Sequence, residues 1–300
     1  MDFDEKSFKV IYMLYRDKSE AEIKQEMDIS DEEFTEIMMK WNLDEETHAD
    51  FAEQAKGIGS KFMNLTRYPF MSQSDQEKGV PCPPAFKKHE GIAYILPPPN
   101  EIDKPASSLA DMMEQRRSVR IYDEKPFTLN ELSYLLWATQ GVHLYKQTPK
   151  ASFTIRTVPS AGARHALETY LMINRVEGIP AGLYFYDAED HKLLQLDTRT
   201  DVLENISQAC FDQPMIKTAA VTFIWVAVPY RMSWRYNERT WRYLHLDAGH
   251  VCQDLYLAGE SIQAGTCAIG AYSDELFSIA LDLDRDSEFV IYAATIGKKK

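Results

Sequence analysis

Apolar side chains in this chain of 300 residues follow helical spacing in some stretches and strand-like spacing in others. The longest helical pattern predicts one long helix late in the chain, with an apolar stripe at Trp241, Leu244, Ala248, Val251, Leu255, Ala258 and Ile262. Residues 219–228 are almost all apolar, which is typical of a strand buried on both faces of a sheet. A second apolar run at 289–296 predicts another strand. The pattern therefore combines a long helix with a buried sheet.

Shorter patterns between residues 106 and 300 complete this domain. Thr128 and Glu131 have the spacing of a capping box and predict the start of a helix. Alternating apolar residues predict a strand at 167–173, followed by a hairpin into a strand at 183–186. Helices and strands alternate throughout, so we predict one α+β domain over residues 106–300 with a mixed sheet and a long central helix.

Residues 1–60 are predicted to be a strongly acidic helical segment, with 7 Lys/Arg against 17 Asp/Glu. Two successive capping boxes, Ser19 with Glu22 and Ser30 with Glu33, begin two short helices. The pair resembles a helix-turn-helix, which makes DNA binding one hypothesis. Phosphates would repel the acidic second helix, so the charge favours docking to a protein or a dimer contact.

Residues 61–105 contain eight of the fourteen prolines of the chain. A stretch this rich in proline is typical of a wrapping or linking segment with little regular structure. We therefore predict three parts: the acidic helical segment at 1–60, a proline-rich lead-in at 61–105, and the α+β domain at 106–300.

Composition narrows the functional classes. A net charge of −13 and a pI of about 5.1 argue against a general nucleic-acid-binding surface. The spacing of the four cysteines indicates neither a disulfide framework nor a zinc site. On a helix, the side chains of His245 and His250 would point ~140° apart, so we expect no metal site here. We interpret a histidine at this place as one whose hydrogen-bonding groups find partners in the packing of the helix against the sheet. An acidic N-terminus and the lack of a membrane-length apolar run predict a soluble, cytoplasmic protein.

Residues 116–120 place three guanidinium groups and a hydroxyl directly after a predicted short helix; the side chains are Arg116, Arg117, Ser118 and Arg120. Arginine stays protonated, and its planar fork matches two phosphate oxygens. The stretch therefore predicts a seat for a phosphate monoester. The alternative is a solvated basic patch at a helix C-terminus, where the helix dipole favours cations.

Two loops of small residues leave their backbone N–H groups unshielded. The first comprises Pro159, Ser160, Ala161, Gly162 and Ala163, and the second, at 265–271, includes Ile269 and Gly270. Such turns let a ring or a phosphate approach the main chain, although each by itself is compatible with an ordinary loop. The chain has no dinucleotide-binding glycine motif after a strand, no P-loop and no nucleophile elbow, so those sites are not predicted.

In their order and spacing, these motifs resemble the nitroreductase-like flavoproteins; the matching pieces are residues 116–120, 159–165, 268–270 and 297–298. Longer stretches look like the SagB-type dehydrogenase branch of that family, at residues 132–141, 182–186, 235–239 and 246–250. The resemblance covers roughly residues 106–300. Residues 61–105 look like the lead-in that those proteins carry.

The resemblance implies a nitroreductase-like fold, in which helices flank a central mixed sheet, and an obligate homodimer with one FMN per subunit at its interface. Residues 116–120 would bind the FMN phosphate and ribityl chain, and Lys298 would add charge there. Residues 159–163 would reach the flavin from the partner chain, while Ile269 and Gly270 would offer backbone N–H groups near flavin N5. The cofactor supplies the redox chemistry, which explains why no acid–base pair stands out.

Two positions depart from the family pattern. Ala163 stands where many nitroreductases have Asn. The azoline dehydrogenases of the branch use a Lys-Tyr pair, and this chain has Arg235 and Tyr236 at the matching position. Arginine is a poor proton acceptor, which weakens the expectation of azole formation, whereas Tyr236 keeps the capacity to act as an acid. Arg235 and Tyr236 are accordingly the candidate catalytic residues.

The resulting hypothesis is an FMN-dependent oxidoreductase that transfers hydride or electrons to or from a small or peptide substrate, with NAD(P)H as a candidate reductant. The alternative is a non-catalytic flavin-binding or scaffold protein in a peptide-modifying complex, which a partner protein would join through residues 1–60. Neither a nucleic-acid nor a membrane partner is expected.

Overall fold

A computed structural model describes residues 3–100, 108–148 and 152–300. Its helices are α1 (Glu5–Tyr15), α2 (Glu20–Met27), α3 (Asp31–Lys40), α4 (Glu45–Gln54), α5 (Ile58–Leu65), α6 (Leu109–Gln115), α7 (Leu129–Gln140), α8 (Val202–Ala209), α9 (Met215–Thr218), α10 (Pro229–Tyr236), α11 (Thr240–Ser261) and α12 (Asp274–Leu281). Short 3₁₀ turns occur at Tyr68–Phe70, Ala161–Ala163 and Asn237–Arg239. The strands are β1 (Ile92–Ile95), β2 (Val142–Gln147), β3 (Ser152–Arg156), β4 (Leu167–Ile173), β5 (Gly182–Asp187), β6 (Lys192–Asp197), β7 (Val221–Ala227), β8 (Ala264–Ile269) and β9 (Phe289–Lys298).

Seven strands form the central sheet in the order β1-β6-β5-β4-β7-β9-β8, and β2 pairs with β3 in a separate hairpin. The strand pairs of the central sheet are antiparallel, and a bridge between Ser118 and Thr266 adds a parallel contact at its β8 edge. Every residue of β4 and of β7 is buried, because both strands lie in the middle of the sheet with helices on either side. The prediction of a central strand within 219–228 is confirmed.

Side chains of β7 alternate between the two faces of the sheet. Phe223 and Trp225 belong to the apolar cluster that contains the buried residues of α7 and α11. Ile224 and Val226 belong to the cluster on the other side, with α1, α8 and α12. The α+β fold with helices on both sides of the sheet and a long helix against one face is thus confirmed.

The acidic N-terminal helices begin as predicted, since both capping boxes form, at Ser19–Glu22 and at Ser30–Glu33. Helix α1 lies against the body of the protein: Phe8 and Ile11 are buried in the same cluster as α12. Its exposed edge is tied to the body by the Tyr12 hydroxyl, which donates a 2.8 Å hydrogen bond to Asp212 Oδ2. Whether residues 1–60 form a separable unit remains a prediction.

The proline-rich lead-in has more regular structure than its composition indicates. Strand β1 extends the sheet as an edge strand paired with β6, which the sequence analysis missed because a short edge strand has no clear apolar alternation. Further upstream, Trp234 Nε1 donates a 2.9 Å hydrogen bond to the Val80 carbonyl, so the lead-in lies against α10. The predicted boundary at residue 105 falls outside the described residues.

Candidate functional site

The arginine-rich stretch lies across the edge of the central sheet. Gly265 of β8 pairs with Gly297 of β9, and side chains there would collide with Val119 and Tyr122. The two glycines thus provide a flat surface for the stretch, and the Val119 N–H donates a 2.9 Å hydrogen bond to the Thr266 carbonyl. Nothing local in the sequence indicates this role of the two glycines.

The three arginines of this stretch have no carboxylate partner in the part of the chain that the structure describes. Among the described residues, the arginines paired with carboxylates are Arg16, Arg199 and Arg231. Arg117 and Arg120 are exposed, and Arg117 Nη1 donates to the main-chain carbonyls of Glu114 and Arg116 at 2.7 and 2.8 Å. A cluster of uncompensated guanidinium groups on a chain of net charge −13 is suited to an anion.

Tyr256 of α11 connects the arginine stretch to the end of β8. Its hydroxyl lies 3.0 Å from Ser118 Oγ and accepts a 2.8 Å hydrogen bond from the Ala268 N–H. The Arg116 guanidinium lies over its ring, 5.2 Å from the ring centre. Tyr256 was not predictable as a site residue, because a tyrosine within an apolar helix carries no local sign of such contacts.

Ile269 and Gly270 differ in exposure. The Ile269 side chain is buried in the core, whereas Gly270 is exposed and has open space where a side chain would stand. The main chain at Gly270 is therefore accessible to a planar group. Tyr256 contacts both Ser118 and Ala268, which lies in β8 two residues before Gly270, so one chain brings these two predicted parts of the site close together.

Lys298 lies at the end of β9, close to the arginine stretch, where its carbonyl accepts a 2.9 Å hydrogen bond from the Asp123 N–H. Its ammonium group pairs with Glu131 of α7 and lies 5.2 Å from the centre of the Phe127 ring. The Glu131 carboxylate offsets its charge within the chain. The predicted role of Lys298 at a phosphate remains a prediction and would require a shift of this pair.

The turn at Ala161–Ala163 is held by the opposite side of α11. Ser160 Oγ donates a 2.6 Å hydrogen bond to Asp247 Oδ2, and the Ala161 N–H donates to Asp247 Oδ1 at 3.3 Å. Burial raises the pKa of Asp247, and these hydrogen bonds oppose that shift. Gly162 and Ala163 have left-handed backbones with φ of 60° and 53°. Pro159 begins the loop, which Asp247 thus fixes.

Tyr236 lies against this turn, since a side chain on Gly162 would collide with the Tyr236 hydroxyl. Its ring meets that of Tyr243 edge-on at 4.9 Å between centres. Arg235 is exposed, with its guanidinium 5.4 Å from the centre of the Tyr236 ring. The structure therefore places the two candidate catalytic residues next to the turn at residues 159–163.

The turn and the arginine stretch do not meet within one chain. They contact α11 at Asp247 and at Tyr256, nine residues apart. At 1.5 Å and ~100° per residue, nine residues correspond to ~13 Å along the helix and about half a turn around it. The two halves of the predicted site thus lie on opposite sides of α11.

The histidines of α11 do not match their interpretation from sequence. His245 and His250 are both exposed, and His245 Nδ1 lies 2.7 Å from the Trp241 carbonyl oxygen, so neither is packed between helix and sheet. That interpretation was wrong, because the buried stripe of the helix passes between them.

Within the described ranges, no cluster of three or more His, Cys, Asp or Glu side chains could hold a metal ion. Over the same ranges, no helix has the length and apolarity to cross a bilayer.

Comparison with known proteins identifies the family. The sequence profile of the nitroreductase family matches residues 113–298. The chain belongs to the nitroreductase family. A Methanocaldococcus jannaschii protein whose name assigns it to the nitroreductases is 35% identical over 192 residues, covering 64% of this chain and 91% of the relative.

Other relatives of this nitroreductase-family chain are more distant. The trifolitoxin-processing protein TfxB of Rhizobium leguminosarum bv. trifolii is 26% identical over 171 residues, which cover 56% of this chain and 45% of the relative. The crystal structure of a nitroreductase-type protein from Anabaena variabilis superposes with a TM-score of 0.64 and 24% identity, covering 80% of this chain and 46% of that chain. This chain therefore spans less than half the length of both proteins.

The family match begins within α6 of this nitroreductase-family chain and ends at Lys298. It contains the arginine stretch, the turn at Ala161–Ala163, the loop after β8 and Tyr256. It leaves out the acidic helices and the proline-rich lead-in. The parts of the chain that build the candidate site on α11 are thus the parts shared with the family.

Proposed function

We propose that this protein is an FMN-dependent oxidoreductase of the SagB-type branch, with the flavin bound between two copies of the chain. The observation that carries the proposal is the pair of sites on α11. Tyr256 contacts Ser118 and Arg116 of the arginine stretch and, through Ala268, the end of β8 just before the accessible Gly270. The arginines of the stretch have no carboxylate partner among the described residues. Asp247 holds the family's small-residue turn on the opposite side of the same helix.

The chemistry of the donor set fits a flavin mononucleotide. Arg116, Arg120 and the Ser118 hydroxyl offer charge-assisted and neutral donors to a terminal phosphate. The main chain at Ile269 and Gly270 offers N–H donors to a flat ring. Tyr256 positions both parts through its contacts with Ser118 and Ala268. The bound flavin would supply the redox chemistry, while these residues bind and orient it.

The second copy would complete the site. Because the turn at residues 159–163 lies on the far side of α11 from the arginines of its own chain, we propose that it contacts the flavin held by the partner chain. Apolar side chains that are more than half exposed support a contact surface here: Leu109, Met113, Ile121 and Leu246. Tyr236, against the same turn, would then lie near the flavin and could hold a proton for transfer.

The absorbance spectrum of the purified protein tests this function. We expect a flavin spectrum with about one FMN released per chain on denaturation, and bleaching of the visible band when NADH or NADPH is added without oxygen. A colourless protein that takes up no FMN would contradict the proposal. A flavin that binds but is not reduced by either nucleotide would favour the non-catalytic alternative or another electron donor.

We also propose that the acidic segment at residues 1–60 docks a partner in a peptide-modifying assembly. The similarity to a trifolitoxin-processing protein supports this proposal, as does the exposure of Asp31, Glu32 and Glu36 on α3. A cationic partner would be favoured by such a surface. Purifying the tagged chain from its native host should recover a peptide-modifying enzyme, and the recovery should fall at high salt.

A further inference from the structure

A cavity of about 340 Å³ lies between the proline-rich lead-in and the loop that follows α10. One wall is formed by residues 68–77 and the other by Arg235, Tyr236, Asn237 and Arg239. We propose that this cavity binds the carboxylate of a planar organic acid, with Arg235 as its main contact. The proposal rests on the oxidoreductase function above and assigns a substrate class to it.

Contacts between its two walls fix the shape of the cavity. Asn237 has a backbone conformation that is rare outside glycine (φ 46°, ψ −136°), and its side-chain Nδ2 donates a 2.6 Å hydrogen bond to the Ser72 carbonyl. This bond ties the two walls together. Strain of this kind persists only where surrounding contacts impose it, and it is concentrated at functional sites.

A second set of contacts joins the lead-in to the residues that follow α10. The Tyr68 and Tyr243 hydroxyls are 2.9 Å apart, and Arg239 Nε donates to the Tyr243 hydroxyl at 3.1 Å while its guanidinium lies 4.2 Å from the centre of the Tyr68 ring. Arg239 Nη1 also donates a 2.6 Å hydrogen bond to the Thr66 carbonyl. The lead-in is thus held in place by Arg239, and its Tyr68 lines the cavity.

The charges in the cavity favour an anion. Among the described residues, neither Arg235 nor Arg239 is paired with a carboxylate, whereas the lining acid Glu77 accepts hydrogen bonds from the Ser74 N–H and Oγ at 2.7 and 2.8 Å. Arg235 is exposed and has donors available, so it can bind a carboxylate bidentately.

The position of the cavity connects it to the proposed flavin site. Tyr236 lines the cavity and also contacts Gly162 of the turn at residues 159–163. A ligand anchored on Arg235 would therefore extend past Tyr236 toward the turn. The charged end of the ligand would stay in the cavity, and its conjugated part would lie where the turn approaches the flavin.

Calorimetric titration of the oxidised, flavin-containing protein with benzoate and with benzamide tests this assignment. The two probes have the same ring and differ in charge. We expect benzoate to bind more tightly, and Arg235→Gln to weaken benzoate binding about ten- to a hundredfold while changing benzamide binding less than about twofold. Arg235→Lys, which keeps the charge and loses the planar fork, should fall between the two.

Arg67→Gln is the matched control, because Arg67 is an exposed arginine next to Tyr68 that does not line the cavity. It should leave both affinities unchanged. Equal affinity of the parent protein for the two probes, no binding of either, or an equal loss of both in Arg235→Gln would overturn the proposal. Flavin content is measured for every variant, so absence of flavin would point to failure of the oxidoreductase proposal instead.

Discussion

Single residues of α11 hold the candidate site together. Tyr256 and Asp247 face opposite ways on one helix, and each carries a different part of the site through hydrogen bonds of 2.6 to 3.3 Å. A rigid helix keeps such contacts at a constant separation, which is what two halves of a shared cofactor site require.

Arg120→Ala should weaken FMN binding roughly ten- to a hundredfold, since a charge-assisted hydrogen bond to phosphate contributes ~1.5–3 kcal/mol. Riboflavin lacks the phosphate and should bind weakly to the parent protein and nearly equally to the variant. Titrations of flavin-free protein with both ligands, at one salt concentration, measure this difference. Equal losses for the two ligands would mean that Arg120 supports the fold rather than the phosphate.

Asp254 on α11 should make stability depend on pH. Burial raises the pKa of its carboxyl from 3.8 to about 6, against the opposing charge of His250. The folded protein therefore holds this proton more tightly, so the contribution is fully present below about pH 4 and is lost as the pH rises through about 6. Asp254→Asn removes the ionisation, and its melting temperature relative to the parent should be higher at pH 7.5 than at pH 4.5. A difference that does not change between the two pH values would show that the carboxyl titrates normally.

Elements from all three parts of the chain share the core. Helix α1 covers α12 and the outer face of the sheet, and β1 adds an edge strand. The Thr66 carbonyl and the Thr66 hydroxyl accept hydrogen bonds from Arg239 and Arg242 at 2.6 and 2.8 Å. The start of α11 is thus held by the lead-in rather than by the acidic helices.

A shortened chain beginning at Asn64 tests the role of residues 1–60. It keeps Thr66 and every residue proposed to bind flavin, so it should remain flavin-bound and dimeric. It should also unfold at a lower temperature, because removing Phe8 and Ile11 exposes the apolar surface of α12. In the full-length chain, Phe8→Ala should cost ~3–5 kcal/mol. Recovery of a soluble shortened chain without flavin would mean that the segment helps to build the cofactor site.

The whole molecule is predicted to be a homodimer, and its mass in solution tests this. Light scattering of the flavin-bound protein should give twice the chain mass of 34.5 kDa. Leu246→Glu introduces a charge at an exposed apolar position of α11 and should give a single-chain mass with reduced flavin content. Met39→Glu, at a similarly exposed position on α3, is the control and should change neither. A single-chain mass for the flavin-bound parent would exclude the shared site.

Local features of the fold were predictable from the sequence because their causes are local. Capping boxes such as Thr128 with Glu131 act over three residues, and the burial of β7 follows from an unbroken apolar run. The motif at 116–120 was recognisable because three arginines fall within five residues. The family was recognisable because several short motifs follow one another at the right spacing, and the match over residues 113–298 bears this out.

Tertiary structure decided the features that depend on residues far apart in the chain. The contacts of Tyr256 with Ser118 and the exposure of His250 depend on how α11 packs against the sheet, and the pairing of Lys298 with Glu131 depends on how α7 packs there. The apolar periodicity predicts which face of a helix is buried, but it does not predict what the residues beside that face contact. The cavity at Arg235 likewise exists only because the proline-rich lead-in folds back over α10, a path that the composition of that segment leaves open.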